Sequence, residues 1–169
     1  MPKDSADLHV ERWRDHWIDI PFDEQIEAAT VRLMRLNRYL DNTTRTAVAH
    51  VGLQDFEYQT LHALMIRETP GRASPTALAK YMGVSPAGVT GRLDGLERKG
   101  LVKRVPGTAD RRTVDVEVTR SGAKVWREAM ALREDSEKQL ASALTPKELA
   151  TLNRLLKKLT LHAEGQDKA

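Results

Sequence analysis

The chain has 169 residues, of which 40% are hydrophobic and 30% charged, with a net charge of +3 and no cysteine. That is enough chain to bury one sizeable core, short for two independent domains, and unlike a disordered composition. Disulfide frameworks, thiolate metal sites and cysteine redox sensing are excluded, and without an apolar run near ~18 residues or a charged-then-apolar leader the sequence predicts a cytoplasmic protein with no membrane span.

Leu8 to Ile18 sets Val10, Trp13 and Trp17 on one face and predicts a short amphipathic helix, ended by Pro21. Asp23 can cap a second, much longer helix in which Ile26, Leu33, Leu40 and Ala47 recur every seven residues, with Ala29 and Leu36 between them, until Gly52 stops it. Asp55 can cap a third helix with Phe56, Thr60, Leu61, Ala63 and Leu64 inward, after which Pro70-Gly71 breaks the chain.

From Ser74 the punctuation becomes dense. Ser74-Pro75 and Ser85-Pro86 each pair an N-cap with a proline at the first helical position, and the short turn between the two helices contains Gly83. This is the spacing of a helix-turn-helix. The second helix, Pro86 to Lys99, packs through Val89, Leu93 and Leu96 and is closed by Gly100. At ~100° per residue, Ala87, Gly91, Asp94 and Arg98 fall on the opposite side. Together with Ser85, Gly88 and Thr90 they are the candidate contacts to a DNA major groove. Gly88, Gly91 and Gly95 each cost the helix about 1 kcal/mol relative to alanine. Such a repeated cost points to close approach of the backbone, either by DNA or by another helix.

Leu101 to Val105 and Thr113 to Val118 are short β-branched runs joined by a turn, and predict a hairpin wing whose tip carries Arg111 and Arg112, aimed at a minor groove. Gly71 to Arg120 holds ten Lys or Arg against five Asp or Glu, so the basic excess of the chain sits on this region. Ser121 to Leu140 reads as a long helix through Val125, Ala129, Leu132 and Leu140. Thr145 and Glu148 form a capping box around Pro146 and open a last helix with Leu149, Leu152, Leu155, Leu156 and Leu159 inside, before a loose tail from Gly165.

The expected architecture is mainly α with a small β-hairpin wing: N-terminal helices over 1–52, a winged helix-turn-helix over 53–120, and C-terminal helices over 121–169. Leucine-rich faces at both ends predict a homodimer, with a monomeric helical bundle as the other solution. His9, His16, His50, His62 and His162 are scattered and form no HExxH or other ligand spacing, and no phosphate cradle or nucleophile elbow occurs. No metal, cofactor or catalytic centre is expected. Two functions remain: a reader of double-stranded DNA, and a ligand-independent winged-helix adaptor for protein contact. Steep salt dependence of DNA binding separates them.

The run GLVKR followed by ADRRTVDVEVTRSG, with Asp110, Arg112, Thr119 and Gly122, resembles the wing signature of the multiple-antibiotic-resistance (MarR) family, and the resemblance covers most of the chain. It implies a two-fold dimer on a pseudo-palindromic operator and a small ligand that loosens DNA binding. The added N-terminal helix is similar to that of the urate-responsive branch, including its PecS-like members. There a Trp, an Asp and two Arg surround an anion, and the matching positions are Trp13, Gln59, Arg92 and Arg104. Gln59 stands where the branch has an acid. On the helical wheel Arg92 lies roughly 70° from the packed face, between core and groove. Two guanidiniums converging in a partly buried crevice call for an anion. With a neutral Gln59 the expectation is a more cationic pocket that favours a di- or tricarboxylate over urate, unless Asp55, one turn earlier, supplies the missing carboxylate.

Overall fold

The computed structural model describes residues 1–16, 23–66, 70–107 and 112–166. In chain order they form α1 (Ser5–His16), α2 (Glu24–His50), α3 (Asp55–Met65), β1 (Arg72–Ala73), α4 (Pro75–Met82), α5 (Pro86–Arg98), β2 (Val102–Pro106), β3 (Val114–Val118), α6 (Arg120–Ala141) and α7 (Pro146–Gln166). This is the mainly helical fold with a wing that the sequence predicts.

Local signals place most helix ends. Asp23 caps α2 by accepting from the backbone N–H groups of Gln25 and Ile26. The box before α7 is closed by Thr145 N–H donating to Glu148 Oε2 at 2.8 Å. Three boundaries differ from expectation. The first helix begins at Ser5 because Asp4 accepts from the N–H groups of Ala6 and Asp7, while Trp17 and Pro21 lie outside the described residues. Gln54, not Asp55, caps α3, because Glu57 turns back to accept from the Gln54 N–H at 2.8 Å. The last helix runs on through Gly165 to Gln166.

Leu61, Leu64, Leu78, Val89, Leu93, Leu96, Val116 and Val48 are sealed in one core, drawn from α3, α4, α5, β3 and the C-terminal end of α2. Burying each such side chain contributes about 1.5–3 kcal/mol. Phe56, expected inside, is exposed; Glu57 and Tyr58 of α3 are buried instead. The sheet has the order β1-β3-β2, all antiparallel, with Val102 opposite Val118 and Pro106 opposite Val114. Its edge strand β1 was not visible as a pattern. It pairs Arg72 with Glu117 and Ala73 with Val116.

Outside this core the chain is less covered. Of α1, Ala6 and Val10 are buried against α2. The N-terminal part of α2 leaves Ile26, Leu33, Met34 and Leu36 exposed. The leucines of α7 are not inside the protomer: no residue of that helix is buried. On the other side, α6 docks on α3 through Trp126, whose Nε1–H donates to His62 Nδ1 at 3.1 Å, and through Arg133, which donates to the Tyr58 hydroxyl at 3.0 Å.

Candidate nucleic-acid interface

The two helices of the reader are set by matching devices. Ser74 Oγ accepts from the Ala77 N–H and Ser85 Oγ from the Gly88 N–H, and each is followed by proline, whose missing N–H costs nothing at the first helical position. Between them Gly83 turns the chain at φ 64°, a left-handed conformation that suits a residue without Cβ.

The helix α5 is two-sided. Val89, Leu93 and Leu96 are at most 1% exposed, whereas Ser85, Ala87, Gly88, Thr90, Gly91, Asp94 and Arg98 all face outward. A Cβ at Gly91 would meet nothing within 4 Å; at Gly88 it would meet the helix's own cap, Ser85 Oγ, at 3.1 Å. Neither glycine is packed beneath another helix among the described residues, so of the two readings of these glycines, helix packing is absent here. At Gly95 a Cβ would make an ordinary contact, 3.7 Å from Glu57 Oε1. The strip from Ser85 to Arg98 is small at one end and polar at the other. The Thr90 hydroxyl donates to the Pro86 carbonyl at 3.0 Å.

Beside this strip stands the wing. Arg72 fixes it from β1, donating from Nε to the buried Asp115 of β3 at 3.0 Å and from Nη2 to the Pro106 carbonyl of β2 at 2.6 Å. Gly107 N–H donates to the Thr113 carbonyl and narrows the hairpin toward its tip. Arg112 is exposed just before β3; Arg111 lies outside the described residues.

Two joints connect reader and scaffold. At the first, Lys99 Nζ donates to Glu57 Oε2 at 2.6 Å and to the Gly52 carbonyl at 3.1 Å, tying the end of α5 to the start of α3. The second explains Thr119 and Gly122. Thr119 Oγ1 accepts from the Gly122 N–H and donates to the Gly100 carbonyl, and a Cβ on Gly122 would lie 2.1 Å from the Leu101 carbonyl oxygen. Only glycine lets α6 start this close to the end of the recognition helix.

The four candidate ligand residues stand in different local surroundings. Trp13 is half-buried on α1, its ring 5.5 Å from that of His9. The Arg92 guanidinium lies 6.0 Å from the centre of the exposed Phe56 ring. Arg104 is committed to Asp94 at 2.5 Å and to Glu97, and Asp94 above all raises the guanidinium's pKa. Gln59 borders a cavity of about 310 Å³ shared with Asp41, Thr44, Arg45, Asp55 and Tyr58, which none of Trp13, Arg92 and Arg104 lines. With Asp41 and Asp55 against Arg45, that cavity is of mixed charge, and Asp55 brings a carboxylate beside Gln59.

The MarR family model matches residues 51–113, the stretch from the end of α2 to the wing. The regulator PecS of Dickeya dadantii (strain 3937) is 25% identical over 153 residues, 90% of this chain and 91% of PecS. The multiple antibiotic resistance protein MarR of Escherichia coli (strain K12) is 38% identical over 87 residues, 51% of this chain and 60% of MarR. A crystal structure of a mutant E. coli MarR complexed with operator DNA superposes with a TM-score of 0.60 at 26% identity, covering 83% of this chain and 99% of that one. The stretch from the end of α2 to the wing thus carries the likeness to the MarR family, and the chain as a whole is similar to regulators of that kind. Its winged helix-turn-helix is the fold of transcriptional regulators of the MarR/PecS type, a class that is not enzymatic.

The less obvious residues are those that hold the reader in shape. Arg72, Glu57 and Lys99 were not singled out by sequence. The charge of Glu57 at a buried position carries no local signal, since its partner is 42 residues away. Arg72 is one basic residue in a turn. Among the described residues no group of three His or carboxylate side chains could hold a metal, and no helix is long and apolar enough to cross a membrane.

Proposed function

We propose that the protein is a cytoplasmic repressor that binds a pseudo-palindromic operator as a homodimer and is released by a small anion, an organic acid or a urate-like compound. The observation that carries the DNA half is the two-sided recognition helix: a leucine-packed inner side and an open strip of Ser85, Ala87, Gly88, Thr90, Gly91, Asp94 and Arg98 beside the wing. Each protomer inserts that strip in the major groove, and Arg111 and Arg112 at the wing tip reach the adjoining minor groove.

The dimer is supported by the uncovered apolar side chains of α2 and α7, which a second copy would bury. The effector half is supported by Arg92, half-buried with no carboxylate partner among the described residues, a setting that favours an anion. Arg104 and Gln59 complete that site with Trp13 as its lid, once the pairs now holding Arg104 are exchanged. A ligand acts in this way only by binding the two conformations unequally.

The test is anisotropy titration on the DNA upstream of the protein's own gene, repeated with urate and a panel of di- and tricarboxylates. Expected are two protomers per site, a steep loss of affinity as salt rises, and release by at least one of the anions, abolished in Arg92→Ala. No preference for this DNA over random sequence, with little effect of salt, would leave the protein-binding adaptor instead.

A further inference from the structure

The recognition helix carries Asp94 on its outer strip and Glu97 on the flank of that strip, where a DNA reader is expected to be basic. Side chains of Asp94 and Glu97 are 50% and 36% exposed. One residue of β2 holds both. Arg104 donates from Nη2 to Asp94 Oδ1 at 2.5 Å and from Nη1 to Glu97 Oε2, while its backbone N–H donates to Glu97 Oε1 at 3.2 Å. Pairs as exposed as these add little to folding stability. Their effect lies in the field that α5 presents to a polyanion, where unpaired like charges are repelled.

We infer that Arg104 is a charge mask for the recognition helix: it raises operator affinity by neutralising Asp94 and Glu97, and not by touching a phosphate. It is thus a positioning residue that acts through two carboxylates. Its backbone contact to Glu97 survives loss of the side chain, so the joint between α5 and β2 persists in a truncated variant. The mask also offers an effector a lever. An anion that draws the guanidinium away uncovers two carboxylates at once and pushes the helix off the groove. That second consequence rests on the anion-release reading above; the mask itself rests only on α5 facing DNA.

A double-mutant cycle on operator affinity decides it. Arg104→Ala is expected to weaken binding about tenfold or more in the parent protein, and by less than about twofold in an Asp94→Asn, Glu97→Gln background. Arg104→Lys, which keeps the charge, should retain most of the affinity, and thermal melting should be alike in all variants. Equal losses in both backgrounds, with the salt slope reduced by about one counterion, would mean a phosphate contact and overturn the mask. If Thr90→Ala and Arg98→Ala also leave affinity unchanged, α5 does not face DNA and the mask falls with that assignment. For the lever, the Asp94→Asn, Glu97→Gln variant should stay bound in the presence of an anion that releases the parent; its release there would remove the lever. If no anion releases the parent, the effector reading fails while the cycle still decides the mask.

Discussion

Between Leu53 and Val118 the large apolar side chains are mostly sealed, with Leu61, Leu64, Leu78 and Leu96 fully buried, whereas along α7 Leu152, Leu155, Leu159 and Leu161 are between 38% and 58% exposed. At the other end α1 rests on α2 through two buried side chains, flanked by ion pairs of Arg32 with Asp4 and Asp7 and of Arg14 with Glu24 and by a His9–Glu27 hydrogen bond. Exposed pairs of this kind stabilise weakly and are screened by salt. The contrast separates a reader that is complete within one chain from terminal helices that lack a partner surface. Hydrophobic burial accounts for the first, and a second copy would account for the second.

Variants can break or sharpen this division. The largest loss is expected at the centre: Leu93→Ala removes a sealed side chain shared by the recognition helix and the core, and should cost about 2–5 kcal/mol in thermal or denaturant unfolding, with DNA binding lost in parallel. At the ends the effect should be on assembly. Leu155→Asp with Leu159→Asp is expected to shift the protein to monomer in sedimentation velocity and to weaken operator binding about 100-fold through lost bivalency, while the reader keeps its own unfolding transition. Melting of the monomer and reader together at much lower temperature would show that the two regions are not separable. Smaller again is Gly122→Ala, where the added methyl runs into the Leu101 carbonyl and α6 must shift, an overpacking cost of about 1–3 kcal/mol in unfolding.

The smallest effect is one of pH. His62 sits between Tyr58 and Trp126, and burial first, then the nearby Arg133 charge, holds its pKa below the ordinary imidazole value. The unfolded chain therefore takes up the proton more readily. The contribution of the neutral ring is complete above the ordinary value and is lost as pH falls below it and through the lower folded value. Protonation also removes the acceptor that Trp126 uses. The melting temperature should drop between about pH 7.5 and about pH 5.5 with a change in Trp126 emission, and His62→Phe should flatten that part of the profile.

What could be read from sequence follows from how local the cause is. The caps Ser74, Ser85, Asp23 and Thr145, the prolines beside them and the turn at Gly83 act within a few residues, and the structure has each in its expected place. The inner and outer sides of α5 likewise follow from helical period alone. Hidden were the features made by distant partners. Glu57 is drawn inward by Lys99, so α3 is rotated and Phe56 comes out; β1 is two residues long and exists only because β3 lies alongside. Arg104 looked available for a ligand because nothing in its neighbourhood of the sequence announces that the turn after Lys99 lays β2 against Asp94 and Glu97. The leucine stripe of α7 was legible, but whether its own chain covered it was not.

The open space at Gly91 has a consequence for redesign. Because nothing lies within 4 Å of a Cβ placed at Gly91, that position is blank space on an otherwise finished scaffold. An asparagine or arginine there could be written in without repacking the core, and such side chains pair bidentately with adenine or guanine in the major groove. The backbone would gain helix propensity at the same time. A regulator whose recognition helix leaves such a gap can acquire a new operator preference by adding one side chain, with its own core left as it is.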